Sequence, residues 1–317
     1  MALVLDEQQV TELLTMETAI AAVEDALTQQ GLGTALNNPR ARVRLPAGQL
    51  HMMGAALPTR GVIGYKAYTA FKGKVRFHVM LYSTETGELL AMLQADRLGQ
   101  MRTGAASGVA TKYLARHEAR SVGIFGTGWQ ARSQLEAVCA VRHIQSIKAY
   151  GRDATRRQTF CIEMSQQLQI PVEPAATPEA TVKGVEVVIT STNARDPLFD
   201  GNWLEPGAHV NAIGSNALIR REIDDTTVRR SALIVVDSKE QARLECGDLL
   251  GPLERGLIHW EQIRELGDVV AGCTPGRRQA SDITLFESHG LAIWDLAAGM
   301  AVYDAAKAKG IGRELAL

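Results

Sequence analysis

One stretch of the chain has residue types and spacing that specify a chemistry. It is Ser121-Val-Gly-Ile-Phe-Gly126-Thr127-Gly128-Trp129-Gln130-Ala131. A short apolar run, Val122 to Phe125, enters a G-x-G-x-x-A loop, and a helix-like segment, Arg132 to Val141, follows. Gly126 permits a tight turn at positive φ. Gly128 has no Cβ, so a pyrophosphate can approach the backbone. Ala131 is small enough for the helix to pack on the strand, and the helix N-terminus then faces the phosphates. A glycine turn in an ordinary βα unit is the plainer explanation. A second strand candidate at Ser146 to Tyr150 supplies the context that favours a nicotinamide-type dinucleotide.

The end of that second strand bears on which dinucleotide. Enzymes using NAD place an acid there to hold the ribose hydroxyls. Here the chain reads Ala149-Tyr150-Gly151-Arg152-Asp153. Gly151 takes the place of the acid, and Arg152 offers a fork that suits a 2′-phosphate. NADP(H) is therefore favoured, with NAD(H) as the alternative. A one-residue register shift would bring Asp153 into play, and a solvated cap on the next helix would also account for Arg152. Further along, Val187-Val-Ile-Thr190-Ser191-Thr192 is a buried strand ending in hydroxyls, at a carboxyl edge where a cofactor would lie.

These residues need elements to hold them. From Ser121 onward, strand candidates at 121–125, 146–150, 185–190, 208–213 and 232–236 alternate with helices, which predicts a doubly wound parallel sheet. The first hundred residues read differently. Residues 16–30 predict a helix, with Thr15 as N-cap and Gly31 as the stop. Alternation over Arg40 to Leu45, Val62 to Ala70, Val75 to Leu81 and Leu89 to Leu93, with a turn at Thr84 to Gly87, predicts a half-buried antiparallel sheet. An alanine-rich helix is expected from Thr103 to Ala115. Another over Gly290 to Lys309, with Leu291, Ile293, Leu296, Ala297 and Met300 on its apolar side, is expected to return to the first domain. Trp129 is expected to pack at the glycine loop.

Composition narrows the function classes. A chain of 317 residues suggests about two domains. With 34 basic against 35 acidic residues, a nucleic-acid partner is not expected. The four cysteines, Cys139, Cys161, Cys246 and Cys273, form no CxxC pair and read as thiols of a reducing compartment. No apolar run is long enough to span a membrane and the N-terminus carries no secretory pattern, so a cytoplasmic location is expected. No metal site is expected.

Several blocks together resemble the ornithine cyclodeaminase/mu-crystallin family. They are Asn38-Pro-Arg-Ala-Arg42, Gly64-Tyr-Lys66, Asp96-Arg-Leu-Gly-Gln-Met-Arg102-Thr103, Gly126-Thr-Gly-Trp-Gln-Ala-Arg132, Asn211-Ala-Ile-Gly214-Ser-Asn216 and Arg221-Glu-Ile-Asp224. The resemblance implies an α/β architecture in which a Rossmann domain, residues 117–292, is inserted in a discontinuous α+β domain, residues 1–116 plus 293–317. That outer domain would bind substrate and form a homodimer. The family's substrate arginine falls on Arg42, before Pro46. Its active-site lysine falls on Lys66, and the arginine of its Met-Arg-Thr block on Arg102. The resemblance places Thr103 and Gly214 on the cofactor side.

The chemistry of these assignments is coherent. The carboxylate of an α-amino or α-imino acid is held well by guanidinium forks, and a lysine can hold the same group or pass a proton to nitrogen. Arg102 and Thr103 are expected to open a helix and so also to reach cofactor phosphates. Met52, Met53 and Tyr68 are candidates for the pocket wall, whereas His51 and His78 read as sheet or rim residues and Asp224 as a helix cap. One departure stands out. Cyclodeaminases of this family carry an aspartate where this chain has Asn216, and an amide cannot accept and return a proton at neutral pH. The expected activity is therefore NAD(P)H-dependent reduction of a C=N bond beside a carboxylate, on an amino/imino acid or a 2-oxo acid with ammonia. A cyclodeaminase with internally recycled NAD+ and a non-catalytic NADPH-binding, crystallin-like protein are the alternatives.

Overall fold

The computed structural model describes residues 1–316. The chain divides into two compact units, Met1–Ala106 with Gly290–Leu317, and Ser107–His289. The division falls ten residues before the 116/117 boundary read from the sequence, because one unbroken helix, Asp96–Leu114, runs through it.

In the first unit, Ala2–Leu5, Leu36–Asn37, Ala41–Leu45, Gly48–Leu57, Val62–Phe71, Lys74–Ser83, Leu89–Gln94 and Arg313–Leu315 form one sheet. It is antiparallel except where Ala2–Leu5 joins Leu89–Gln94. The expected alternation is realised. Lys66 pairs with Met53 and Val79, and these residues share a face with Leu57, Val62 and Leu81, all buried. Helix Ala292–Lys309 covers that face. A Cβ added to its Gly299 would sit 3.4 Å from Leu81 and Val79. The helix is not the one-sided amphipath expected: every residue from Ala292 to Met300 is buried, Asp295 included. Helix Met16–Gly31 starts at Thr15, whose hydroxyl accepts from the Thr18 N–H.

The helix expected to begin at Thr103 begins at Asp96 instead. Its cap comes from far away in sequence: the Glu7 carboxylate accepts from the N–H groups of Asp96 and Arg97. Arg102 and Thr103 thus sit in the second turn, where backbone N–H groups are already paired, and Thr103 Oγ1 donates to the Gly99 carbonyl.

The second unit is an eight-stranded parallel sheet. Its spatial order is Val172–Pro174, Ser146–Tyr150, Ser121–Phe125, Val187–Thr190, His209–Ala212, Ile283–Glu287, Ser231–Val236 and Ile263–Glu265. The order reverses between Ser121–Phe125 and Val187–Thr190, the switch point at which doubly wound sheets bind ligands. Three strands lay outside the sequence reading. Ile283–Glu287 is the central one, and its five residues are all buried, which leaves no alternation to detect. No helix among the described residues is long and apolar enough to cross a membrane.

Candidate functional site

The glycine loop lies at the switch point of the second unit. Gly126 has φ +108°, and a Cβ there would lie 2.3 Å from the Ser191 carbonyl oxygen, so the turn and the close approach both require glycine. Gly128 precedes helix Trp129–Val141 as its N-cap, and no side chain caps that helix. A Cβ on Gly128 would meet nothing within 4 Å. An open backbone, uncapped N–H groups and a thirteen-residue helix fit a dinucleotide pyrophosphate. Ala131 is fully buried against the sheet, as the motif requires. Gln130 Oε1 is buried without a hydrogen-bond partner. Trp129, the first residue of that helix, has a half-exposed side chain.

Thr127 packs against Gly151, which brings the loop to the end of the second strand. At that corner Arg152 is exposed. Asp153 is the N-cap of helix Ala154–Leu168 and accepts from the Arg156 N–H at 3.0 Å. A second cation, unnoticed in the sequence, stands here too. Arg157 donates to the Gly151 carbonyl at 2.7 Å and lies over the Tyr150 ring.

Two of the three hydroxyls expected to face a cofactor, those of Thr190 and Thr192, are occupied. Thr190 Oγ1 and Thr192 Oγ1 both donate to Glu222, at 2.8 and 2.6 Å, and the Gly214 N–H donates to the same carboxylate at 2.7 Å. Thr190, Thr192 and Gly214 therefore serve as supports that tie the ends of two strands to one buried acid. Ser191 touches the loop through its backbone. Burial pushes the Glu222 carboxyl up to about 7, against the pull of the threonine hydrogen bonds. Glu222 stood in a motif block quoted from the sequence, yet only its contacts reveal this task. Asn216 lies outside any helix or strand, with Oδ1 accepting from Arg220 at 3.1 Å. Asp224 caps a helix as expected.

The first unit holds a compact constellation of charge. Lys66 is 2% exposed, and its Nζ donates to Asp295 Oδ1 at 2.8 Å. Arg102 Nε donates to the same oxygen at 3.0 Å. Asp295 Oδ2 and Arg102 Nη1 are buried with no hydrogen-bond partner among the described residues. Two glycines leave room for the cations. A Cβ on Gly99 would lie 3.1 Å from Lys66 Nζ, and one on Gly290 would lie 2.8 Å from Arg102 Nη1. Burial and the Arg102 charge pull the Lys66 ammonium down to about 8, with Asp295 opposing. The rings of Phe77 and Tyr68 lie 5.1 and 6.0 Å from Nζ.

Sheet alternation sorts the remaining candidates. Arg42 pairs with His51, which pairs with Tyr68, one row along from Lys66 on the same face. Arg40, one residue before strand Ala41–Leu45, is buried and contacts through Nε, at 3.4 Å, the Sδ of Met53, the residue that pairs with Lys66. The sequence could not separate Arg40 from Arg42, because both point the same way. Met53 and Tyr68 share the face of Lys66. Met52 points to the opposite face and is removed from the pocket wall. His51 is buried and stacked on Tyr68 at 4.1 Å, not a rim residue. Burial, with Arg42, Arg40 and Arg44 nearby, lowers it to about 4, so it is neutral at pH 7. Asp295 was missed altogether, since it lies inside an apolar helix 229 positions from Lys66.

The structure thus joins Lys66 with Arg102 and sets Arg42 on their face. Asn216 and the glycine loop belong to the other unit. A buried ammonium near neutrality beside a guanidinium with an unused donor is a receptor for a carboxylate with a proton to give.

The sequence profile of the ornithine cyclodeaminase/mu-crystallin family matches residues 1–310. The chain belongs to that family. Among its family relatives, alanine dehydrogenase of Archaeoglobus fulgidus is 34% identical over 99% of this chain and 98% of its own length. The structure of Thermococcus litoralis Δ1-pyrroline-2-carboxylate reductase in complex with NADH and L-proline superposes with a TM-score of 0.94 at 35% identity, covering 99% of this chain and 100% of that one. An archaeal alanine dehydrogenase dimer with bound NAD gives a TM-score of 0.92 at 34% identity, covering 100% and 99%.

Proposed function

We propose that the protein is an NAD(P)H-dependent oxidoreductase that reduces the C=N bond of an imino acid or cyclic ketimine, or runs the same step as an amino-acid dehydrogenase. The observation that carries the reading is the Lys66–Asp295–Arg102 constellation, in which one buried carboxylate holds a proton-bearing ammonium and leaves a guanidinium donor unused. Relatives that act on alanine and on Δ1-pyrroline-2-carboxylate support it.

The dinucleotide would be held by Gly126, Thr127, Gly128 and the N-terminus of helix Trp129–Val141, with Gln130 beside them, and it supplies hydride when bound. The protein's own residues do the rest. Arg102 binds the substrate carboxylate through Nη1, and Arg42 adds a second guanidinium on the same face. Lys66 gives its proton to the imine nitrogen, so that the new amine leaves with its electrons and charge balanced. Lys66 regains its proton from solvent only once the product has left, and Asp295 keeps it oriented between turnovers. Burial excludes bulk water from both cations. Asn216 is an amide and cannot act as an acid or base at neutral pH, which disfavours the cyclodeaminase reading.

NADP(H) is the favoured nucleotide. Its support is the corner at Gly151, where the nearest acid, Asp153, is spent as a helix cap and Arg152 is exposed beside it. The protein would work as a homodimer. The sheet face opposite Lys66 exposes Val43, Leu45, Met52, Ile63 and Tyr65, an apolar surface of the kind buried between subunits. The test is a panel of cyclic ketimines and of 2-oxo acids with ammonia or methylamine, assayed with NADPH and NADH. Oxidation of reduced nucleotide dependent on the imine supports the reading. Proline and ammonia formed from ornithine with no net change in nucleotide would replace it with a lyase. Tight nucleotide binding with no turnover on any member would leave a binding protein.

A further inference from the structure

The second unit carries a side-chain cluster that the proposed reaction does not use. At the carboxyl ends of two adjacent strands, Val236 pairs with Glu287. Glu287 ends its strand and His289 follows two residues on. Cys246 lies at the junction of helices Lys239–Glu245 and Gly247–Glu254. Cys246, Glu287 and His289 each offer one ligand atom, and these atoms all lie within 4.8 Å of one another. All three residues are buried.

Three further observations point to a cation. First, Glu287 Oε1 is fully buried with no hydrogen-bond partner, and Oε2 has only the Cys246 Sγ at 3.9 Å. No lysine or arginine among the described residues pairs with either side chain. A carboxylate taken out of water without a partner is costly unless it is neutralised. Second, the His289 ring is oriented from behind. Its Nδ1 faces Asp237 Oδ1 at 3.4 Å, and Asp237 Oδ2 accepts from the His289 backbone N–H at 2.6 Å. A carboxylate behind an imidazole is the arrangement that turns the other ring nitrogen into a metal ligand. Third, a divalent ion would offset a thiolate and a carboxylate around it, and the Asp237 carboxylate behind the neutral imidazole adds a further negative charge that favours a cation here.

We propose that Cys246, Glu287 and His289 supply three of the ligands of a buried site for a divalent transition metal. Mixed sulfur, nitrogen and oxygen donors select zinc among the common ions, whereas magnesium and calcium call for oxygen ligands alone. The site lies inside the fold, so the ion is taken up as the unit folds and holds together the ends of strands Ser231–Val236 and Ile283–Glu287 and the helix junction at Cys246.

The test is metal analysis of the full chain, expressed with zinc and dialysed. The expected content is about one zinc per chain, and refolding with zinc should raise Tm by at least about 5 °C over refolding with a strong chelator. C246S and H289Q should lose the metal, while C273S, at an exposed cysteine, keeps it. Cobalt-loaded protein should show a thiolate-to-cobalt charge-transfer band that C246S abolishes. Wild-type protein with less than about a tenth of an ion per chain and a Tm indifferent to zinc would overturn the proposal. So would full metal retention in folded C246S and H289Q. If both variants fail to fold, the wild-type stoichiometry and the zinc dependence of Tm decide alone.

Discussion

Replacing Asp295 with asparagine keeps the volume and removes one buried charge. The carboxylate accepts from Lys66 Nζ at 2.8 Å and from Arg102 Nε at 3.0 Å. It is the force that holds the Lys66 ammonium up against burial and the charges of Arg102 and Arg40, and the balance leaves Lys66 at about 8. Loss of an opposite charge at contact distance lowers a lysine by about 1–3 units, which takes Lys66 to roughly 5–7. At about pH 7.5 the protonated fraction then falls from about three quarters to between about a quarter and less than one per cent, and a step that needs that proton slows about 3-fold to about 200-fold, about 25-fold at the middle of that range. The assay is kcat against pH for imine-dependent oxidation of reduced nucleotide, with nucleotide affinity measured beside it. The wild-type rate should fall as pH rises through about 8. The variant should show that limb shifted toward acid, should recover rate at low pH, and should bind nucleotide as before. An equal loss at every pH, with the limb unmoved, would refute proton donation by Lys66.

Further outcomes follow from individual contacts. Lys66→Met should abolish most turnover, by about 10²–10⁴-fold, yet leave stability at neutral pH equal or higher by about 1–3 kcal/mol, since a buried cation is removed while Arg102 keeps Asp295. Because the folded pKa lies below the unfolded 10.5, the unfolded chain binds more protons between about 8 and 10.5. Wild-type stability should therefore rise with pH across that window, and chemical denaturation of K66M should lose the slope. Gly128→Val should leave Tm almost unchanged and weaken nucleotide binding, because a side chain there meets only open space. Gly126→Ala should cost about 2 kcal/mol or more through its positive φ and the Ser191 carbonyl, read by thermal melting. Arg152→Ala should weaken NADPH more than NADH in paired titrations, and an unchanged ratio would transfer the preference to NADH. Arg42→Ala should raise KM for carboxylate substrates about 10-fold or more with nucleotide affinity intact, the loss expected for one charge-assisted hydrogen bond.

What the sequence made legible was local and periodic. Alternation over residues 75–81 marked a half-buried sheet, and the spacing of Gly126, Gly128 and Ala131 marked the dinucleotide loop, whereas Lys66 stood out only through the family resemblance. What it hid was non-local or masked by burial. The cap of helix Asp96–Leu114 is Glu7, 89 residues before Asp96, so the apolar pattern alone began that helix at Thr103. Asp295 reads as a polar interruption in an apolar helix until its contacts with Lys66 and Arg102 are seen. Thr190 and Thr192 sit at the right strand end for a cofactor, but burying Glu222 between them claims both hydroxyls. Strand Ile283–Glu287 has no exposed side to give it a period.

The central claim is that an imine beside a carboxylate receives hydride while Lys66 supplies the proton. Stopped-flow single turnover with a cyclic ketimine carboxylate and preloaded NADPH tests it most directly. The expected result is stoichiometric loss of the reduced-nicotinamide signal, formation of the saturated cyclic amino acid, and loss of that phase in K66M with nucleotide still bound. Full-rate turnover in K66M, or no reaction with any imino acid carboxylate in the wild type, would contradict it.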